Sequence, residues 1–211
     1  MKLLSIFVLL IFASCTSPQV QPEPIGKVLR IAEVGPNKWT AITRQNLEHL
    51  LGVYNLTPII FTEDIEIQSR VFPHSHPTLT LNTRYAEQPK KLLAAFMHEQ
   101  LHWWTEKNPV AVKRAAKDLK KFIPKLPNKV TYEHLIICFL EYDGLIYYLG
   151  KPEADKVLTA FMTQDKLHTW MYSVVLKRYN PIDRIILKYK LKPEPFSEAH
   201  EKPATLLRKK T

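Results

Sequence analysis

The segment His98-Glu99-Gln100-Leu101-His102 places two imidazoles and a carboxylate within five consecutive positions. On a helix, histidines four apart project from one face and can reach a single metal ion. Glu99 lies beside them, where it can take a proton from water held by that metal. Zinc suits such donors: at a catalytic site it takes three protein ligands, keeps one position open and lowers the pKa of water toward neutrality. The flanks, Leu92-Leu93-Ala94-Ala95-Phe96-Met97 and Trp103-Trp104, make this helix apolar on most of its circumference. Burying two imidazoles and a carboxylate there without partners would cost several kcal/mol, and a metal removes that cost. The expectation is one zinc ion held by His98 and His102, with Glu99 as the general base.

A third ligand must come from elsewhere. Residues 119–132 contain no acid, so the first candidates are Glu133, His134, Glu141 and Asp143, all within YEHLIICFLEYDGLIYYL. His134 and Glu141 are seven apart and share one helix face. The run from Leu135 to Leu140 is apolar throughout, which makes Glu141 the acid most deeply embedded in a hydrophobic segment. A carboxylate there should be ligated or protonated. Glu141 is therefore the expected third ligand. His134 is the alternative ligand, or otherwise a residue that orients one or faces substrate. Asp143 could orient a ligand or be a solvated acid near the helix end. Cys138, inside the apolar run, reads as a small core residue rather than a nucleophile. His74 and His76, close to Pro73 and Pro77, read as loop residues at a substrate rim or with a structural role.

These side chains need a scaffold. Apolar spacing predicts a helix over Thr40–Leu51, stopped by Gly52. Pro58–Ile67 reads as a strand, and the alternation of Thr78, Leu79, Thr80, Leu81, Asn82 and Thr83 as a second. Helices are expected over Pro89–Glu106, Pro109–Phe122, Tyr132–Leu149, Pro152–Met162, Leu167–Arg178 and Pro181–Tyr189. Strands first and helices afterwards predict one α+β domain over 27–192, followed by a loose polar tail at 193–211. Lys113, Arg114, Lys117, Lys120 and Lys121 on the second of these helices read as a solvated face.

The HEQLH helix, with a strand just before it, resembles the zincin metallopeptidases. The resemblance covers residues 77–106 closely and 107–190 only in architecture. It implies a small sheet before the active-site helix, an edge strand at Thr78–Thr83 that pairs with extended substrate, and hydrolysis of peptide bonds. The metzincin extension would need Gly and His where Thr105 and Asn108 stand, so that branch is excluded. The gluzincin branch places a glutamate on a later helix, the position offered by Glu141, although no aspartate follows it four residues on. The resemblance also implies a His or Tyr that stabilises the oxyanion, and His168 and Tyr172, four apart on one expected helix, are the candidates.

The N-terminus adds an address. MKLLSIFVLLIFASC joins Lys2 to a short apolar run too brief to span a bilayer, as in a signal peptide over residues 1–14. Phe12-Ala13-Ser14-Cys15 resembles a bacterial lipoprotein cleavage box, which implies lipidation of Cys15, a flexible tether over 15–26 and a place at the cell envelope. Thr16 is not the aspartate that retains such proteins in the inner membrane, so the outer membrane is favoured. The chain has 211 residues, a net charge of +10, sixteen prolines, five glycines and two cysteines. That composition excludes collagen-like, wholly disordered and disulfide-scaffold classes. An exported chain does not meet chromosomal DNA, so the basic excess points to anionic lipid headgroups rather than nucleic acid. The expected partners are a peptide or protein substrate and the membrane reached through the lipid. Two other readings stay open: an inactive zinc-binding envelope lipoprotein, and a membrane-surface interaction module. The sequence leaves the oligomeric state undetermined.

Overall fold

Three short strands form a parallel sheet in the order β1-β2-β3, with β1 at Arg30–Val34, β2 at Asp64–Gln68 and β3 at Leu79–Asn82. The computed structural model describes residues 29–127, 130–163 and 166–197. Parallel neighbours need a crossover, and α1 (Lys38–Val53) supplies the first one. It starts at Asn37, whose side chain accepts from the Trp39 and Thr40 amides while the Thr40 hydroxyl accepts from the Asn37 amide, a reciprocal cap. Ile65 and Ile67 of β2 and Leu79 and Leu81 of β3 are buried in the core.

The protein is thus mixed α/β and mostly helical. The expected order of strands before helices holds only from β2 onward, because α1 lies between β1 and β2. The expected strand at Pro58–Ile67 splits: Thr57–Ile59 forms a 3₁₀ turn opening on Pro58, and only Asp64–Gln68 is extended. Proline with its fixed φ and missing N–H suits that turn better than a ladder. Strand β1 was not anticipated, since its alternate residues are exposed and its side chains carry no strong apolar signal.

The helical half comprises α2 (Pro89–Lys107), α3 (Pro109–Phe122), α4 (Tyr132–Leu149), α5 (Lys151–Met162), α6 (Lys166–Lys177), α7 (Tyr179–Lys188) and the short α8 (Glu194–Ser197). Helix α4 is buried along most of its length and packs against α2. At their crossing Gly144 has no room for a methyl group, because Met97 and the Phe196 ring occupy that space. The basic residues of α3 lie on its exposed side, as expected.

The polar tail does not begin at residue 193. Leu191 and Phe196 are fully buried, and the Lys192 ammonium sits 2.9 Å from Asp143 and 2.7 Å from Asp183. Asp143, which also accepts from the Tyr179 hydroxyl, is therefore a buried structural acid, not a solvated one or a ligand-orienting one. A lysine between two carboxylates ties the C-terminal segment to α4 and α7. The expectations for residues 1–14, for Cys15 and the 15–26 tether, and for 198–211 lie outside the described residues. Among the described residues no helix is long and apolar enough to cross a membrane.

Candidate metal centre

Helix α2 delivers His98, Glu99 and His102 to one wall of a cavity of about 360 Å3, and α4 delivers His134 and Glu141 to another. Helix α6 adds His168 and Tyr172. His98, Glu99, His102, His134, Glu141, His168 and Tyr172 all line this one cavity, and Glu133 and Asp143, the other candidate acids of α4, do not. Their separation along the chain is bridged by the α2–α4 and α4–α6 packing.

The helix carrying the motif is aimed by residues outside it. Gln100, fully buried on the far side, accepts from the Phe61 and Thr62 amides at 2.7 and 2.9 Å and donates to the Thr62 carbonyl at 2.9 Å. Trp104 donates to the Leu191 carbonyl and stacks on Phe61. Sequence reasoning missed this clamp. The signal available was Gln100 itself, an amide in a helix expected to be apolar nearly all round.

His98 occupies the centre. Its Nδ1 lies 2.8 Å from Glu141 Oε2, and its Nε2 lies 3.1 Å from His134 Nε2. The two ring nitrogens point in different directions, so Glu141 and His134 stand on opposite edges of the same imidazole. When Glu141 accepts the Nδ1–H, Nε2 is left with its lone pair toward the cavity. The ring nitrogens of His98, His102 and His134 all fall within 4.8 Å of one another. A second triad of similar spacing, His98, Cys138 and Glu141, lies deeper. Its thiol is fully buried against Met171 and burial pushes its pKa upward, so it is a poor donor. Cys138 is the small core residue expected.

Tyr172 donates its hydroxyl to Glu141 Oε2 at 2.9 Å and is itself 3 % exposed. That bond uses its proton, so Tyr172 holds Glu141 rather than facing a reacting carbonyl. His168 stacks on Tyr172 and lies edge-on to His98 and His134, on the cavity wall.

The electrostatics follow from burial. Desolvation, with His168 nearby, lowers the His98 pKa to about 3, and desolvation together with His98 and His76 lowers that of His102 to about 4. Both rings are neutral at physiological pH and free to act as donors. Burial, reinforced by Glu141, raises Glu99 to about 8, and burial raises Glu141 to about 8 against the opposing bond from Tyr172. Without a cation the His98–Glu141 contact is therefore a pairing of neutral groups.

These shifts predict how the metal-free fold responds to pH. A carboxyl raised from 4.5 to about 8 stabilises the fold fully below 4.5, and the contribution is lost as pH climbs to 8. An imidazole lowered from 6.5 contributes fully above 6.5 and loses that contribution as pH falls toward 3 or 4. Between pH 6.5 and 8 the loss from the two carboxyls outweighs the small gain still left from the two imidazoles. Chelator-treated protein should melt at a lower temperature at pH 8 than at pH 6.5, and a divalent cation should raise the melting temperature more at pH 8. A metal-free melting temperature that rises over that window would contradict the assignment.

Strand β3 is not the open edge that the sequence suggested. Thr78 and Thr83 lie outside it, with Thr83 opening a 3₁₀ turn capped by Asn82. The Thr80 amide and carbonyl, which face away from β2, are both bonded to His74, at 2.7 and 3.1 Å. The 71–76 segment is held there by further contacts: Asn82 donates to the Val71 carbonyl, Trp103 donates to the Ser75 carbonyl, and His76 stacks on Trp103 and pairs with Glu106. His74 and His76 thus form part of a strap along the cavity mouth. Phe72 on that strap is 84 % exposed and lines the cavity entrance.

No protein-family model, curated protein or solved structure matches the chain. The candidate centre is therefore read from its own chemistry.

Proposed function

We propose that this chain is a zinc-dependent peptidase of the bacterial envelope, anchored through lipid on Cys15. The observation that carries the proposal is the convergence of three imidazoles, from His98, His102 and His134, on a cavity that also holds Glu99. Several features fit a bound zinc. Zinc–nitrogen distances of about 2.0–2.1 Å put tetrahedral nitrogen ligands about 3.3 Å apart, close to the 3.1 Å between the His98 and His134 nitrogens. Burial keeps His98 and His102 neutral. Glu141 Oε1 is buried with no hydrogen-bond partner among the described residues, a costly arrangement that a nearby cation would offset.

In this reading His134 is the third ligand, and Glu141 takes the role of a carboxylate behind a ligating histidine. It accepts the Nδ1–H of His98, fixing the tautomer and ring orientation, and Tyr172 fixes Glu141 in turn. Zinc, when bound, would polarise the scissile carbonyl and make water a better acid. A cation held there would also favour the ionised form of Glu99, offsetting the burial that otherwise keeps that group protonated. Glu99 then accepts a proton from the attacking water and delivers it to the leaving amine nitrogen. His168, on the cavity wall beside His98 and His134, is the donor this reading assigns to the developing oxyanion. His74 covers β3 at Thr80, so this reading assigns no main-chain pairing of substrate to that strand.

Metal removal tests this. Purified protein should carry one zinc per chain and cleave an unfolded protein substrate. Exhaustive chelation should abolish cleavage, and one equivalent of zinc should restore it. Cleavage that survives chelation would contradict the proposal.

A further inference from the structure

We infer that the outer face shared by α3 and α7 docks on an anionic lipid surface and lays the domain against a membrane. This holds whether or not the cavity cleaves peptides.

Helix α3 carries five basic side chains and one acid, and α7 carries two and one. Lys113, Arg114, Lys117 and Lys121 are exposed on α3, opposite the buried stripe from Val112 to Leu119. On α7, Arg184 and Lys188 are exposed opposite the buried Ile182 and Ile186. Asp118 joins the two rows. It accepts from Lys121 at 2.9 Å, and from Lys188 and Tyr189 at 2.7 and 2.6 Å. Arg178, just before α7, lies over the Phe122 ring at the end of α3. Lys121 and Lys188 thus share one carboxylate, which makes the two exposed rows neighbours on one surface. Both acids of these helices are engaged within the fold: Asp118 by those lysines, and Asp183 by the buried Lys192 at 2.7 Å. The outward field of the helix pair is therefore positive.

Apolar side chains stand among the charges. Val110 is 62 % exposed at the start of α3, Phe122 37 % at its end, and Leu187 44 % beside Lys188. Basic side chains around exposed Phe and Leu are the pattern of helices that lie in a lipid interface. There the charges meet anionic headgroups and the apolar groups enter the acyl boundary. Nucleic acid would engage the charges and leave the apolar groups in water.

The test uses the full chain with vesicles of phosphatidylcholine, alone or mixed with phosphatidylglycerol. Whatever the N-terminal segment adds is common to wild type and variants, so the ratio of the two partition coefficients reads the charged face. Each Lys or Arg near an anionic surface is worth about fivefold in partitioning. Replacing Lys113, Arg114, Lys117 and Lys121 together by Gln should lower the ratio on the order of 10²-fold. Replacing Lys38, Lys90, Lys151 and Lys156, exposed on α1, α2 and α5, removes the same charge elsewhere. That control should lower the ratio by only about twofold to fivefold, through long-range net charge. Equal losses in the two variants would overturn the inference, as would a wild-type protein that partitions equally into both vesicles.

Lysine acetylation of wild-type protein gives a readout that needs no variant. Anionic vesicles should slow the labelling of Lys113, Lys117, Lys121 and Lys188 several-fold and leave Lys38 and Lys151 unchanged. Protection centred on Lys38, Lys90 or Lys151 would overturn the assignment of the face. Duplex DNA is the competing ligand. Tighter binding to DNA than to the anionic vesicle, lost on replacing the same four α3 side chains, would make this a nucleic-acid surface and overturn the lipid assignment.

Discussion

Glu99→Gln should lower kcat by about 10³-fold while leaving zinc stoichiometry at one per chain, a loss in the range of a removed general acid–base group. The amide keeps the shape of the carboxylate and cannot take the proton. Glu99 is 6 % exposed and contributes none of the converging nitrogens, so the substitution leaves the ligands in place. The measurement is steady-state cleavage of an unfolded protein alongside metal analysis of the same preparation. A variant that keeps activity would remove Glu99 from the chemistry. Loss of zinc in this variant would instead make Glu99 part of the metal's own surroundings.

The second large effect separates His134 from Glu141. His134→Ala removes a nitrogen that stands 3.1 Å from His98 Nε2. Losing one of three donors should weaken zinc binding on the order of 10³-fold, given the strength of protein–zinc binding overall. Glu141→Gln removes only the acceptor behind His98 Nδ1, and groups in that position are worth about 10- to 100-fold in metal affinity. Competition against a chelator of known affinity measures both. The reverse order, with Glu141→Gln the more damaging, would make Glu141 a ligand and refute the arrangement proposed above.

The distinction between those two residues shows where sequence stops informing. The HEQLH spacing, the apolar flanks of α2 and the burial of Glu141 were all legible, because each depends on local periodicity and composition. Burial identified Glu141 as an acid in need of a partner, and it has one in His98. It could not say which edge of the imidazole that partner would meet. His134 and Glu141 are separated by seven residues, about 10 Å along a helix axis, so the His98 ring fits between them. Only the packing of α4 on α2 decides that His134 meets Nε2 and Glu141 meets Nδ1.

The same limit explains the other differences. Alternation marked Leu79–Asn82 as a strand, but it carries no information about what pairs with the strand's outer side, and His74 does so. Tyr172 was grouped with His168 by spacing, while its hydroxyl is directed at Glu141. Strand β1 escaped notice because a short, half-exposed strand shows little apolar contrast. Composition suggested a loose tail after residue 192, yet Phe196 is buried in the core. Helix existence was legible nearly throughout, since proline and glycine punctuate the chain where the helices begin and end.

The proposed chemistry depends on what the three imidazoles hold. X-ray absorption at the zinc edge on the purified protein tests it most directly. The expected result is one zinc per chain with three imidazole nitrogens at about 2.0–2.1 Å and one light-atom ligand from solvent. A protein that binds no zinc, or a spectrum requiring a sulfur ligand such as Cys138, would contradict it.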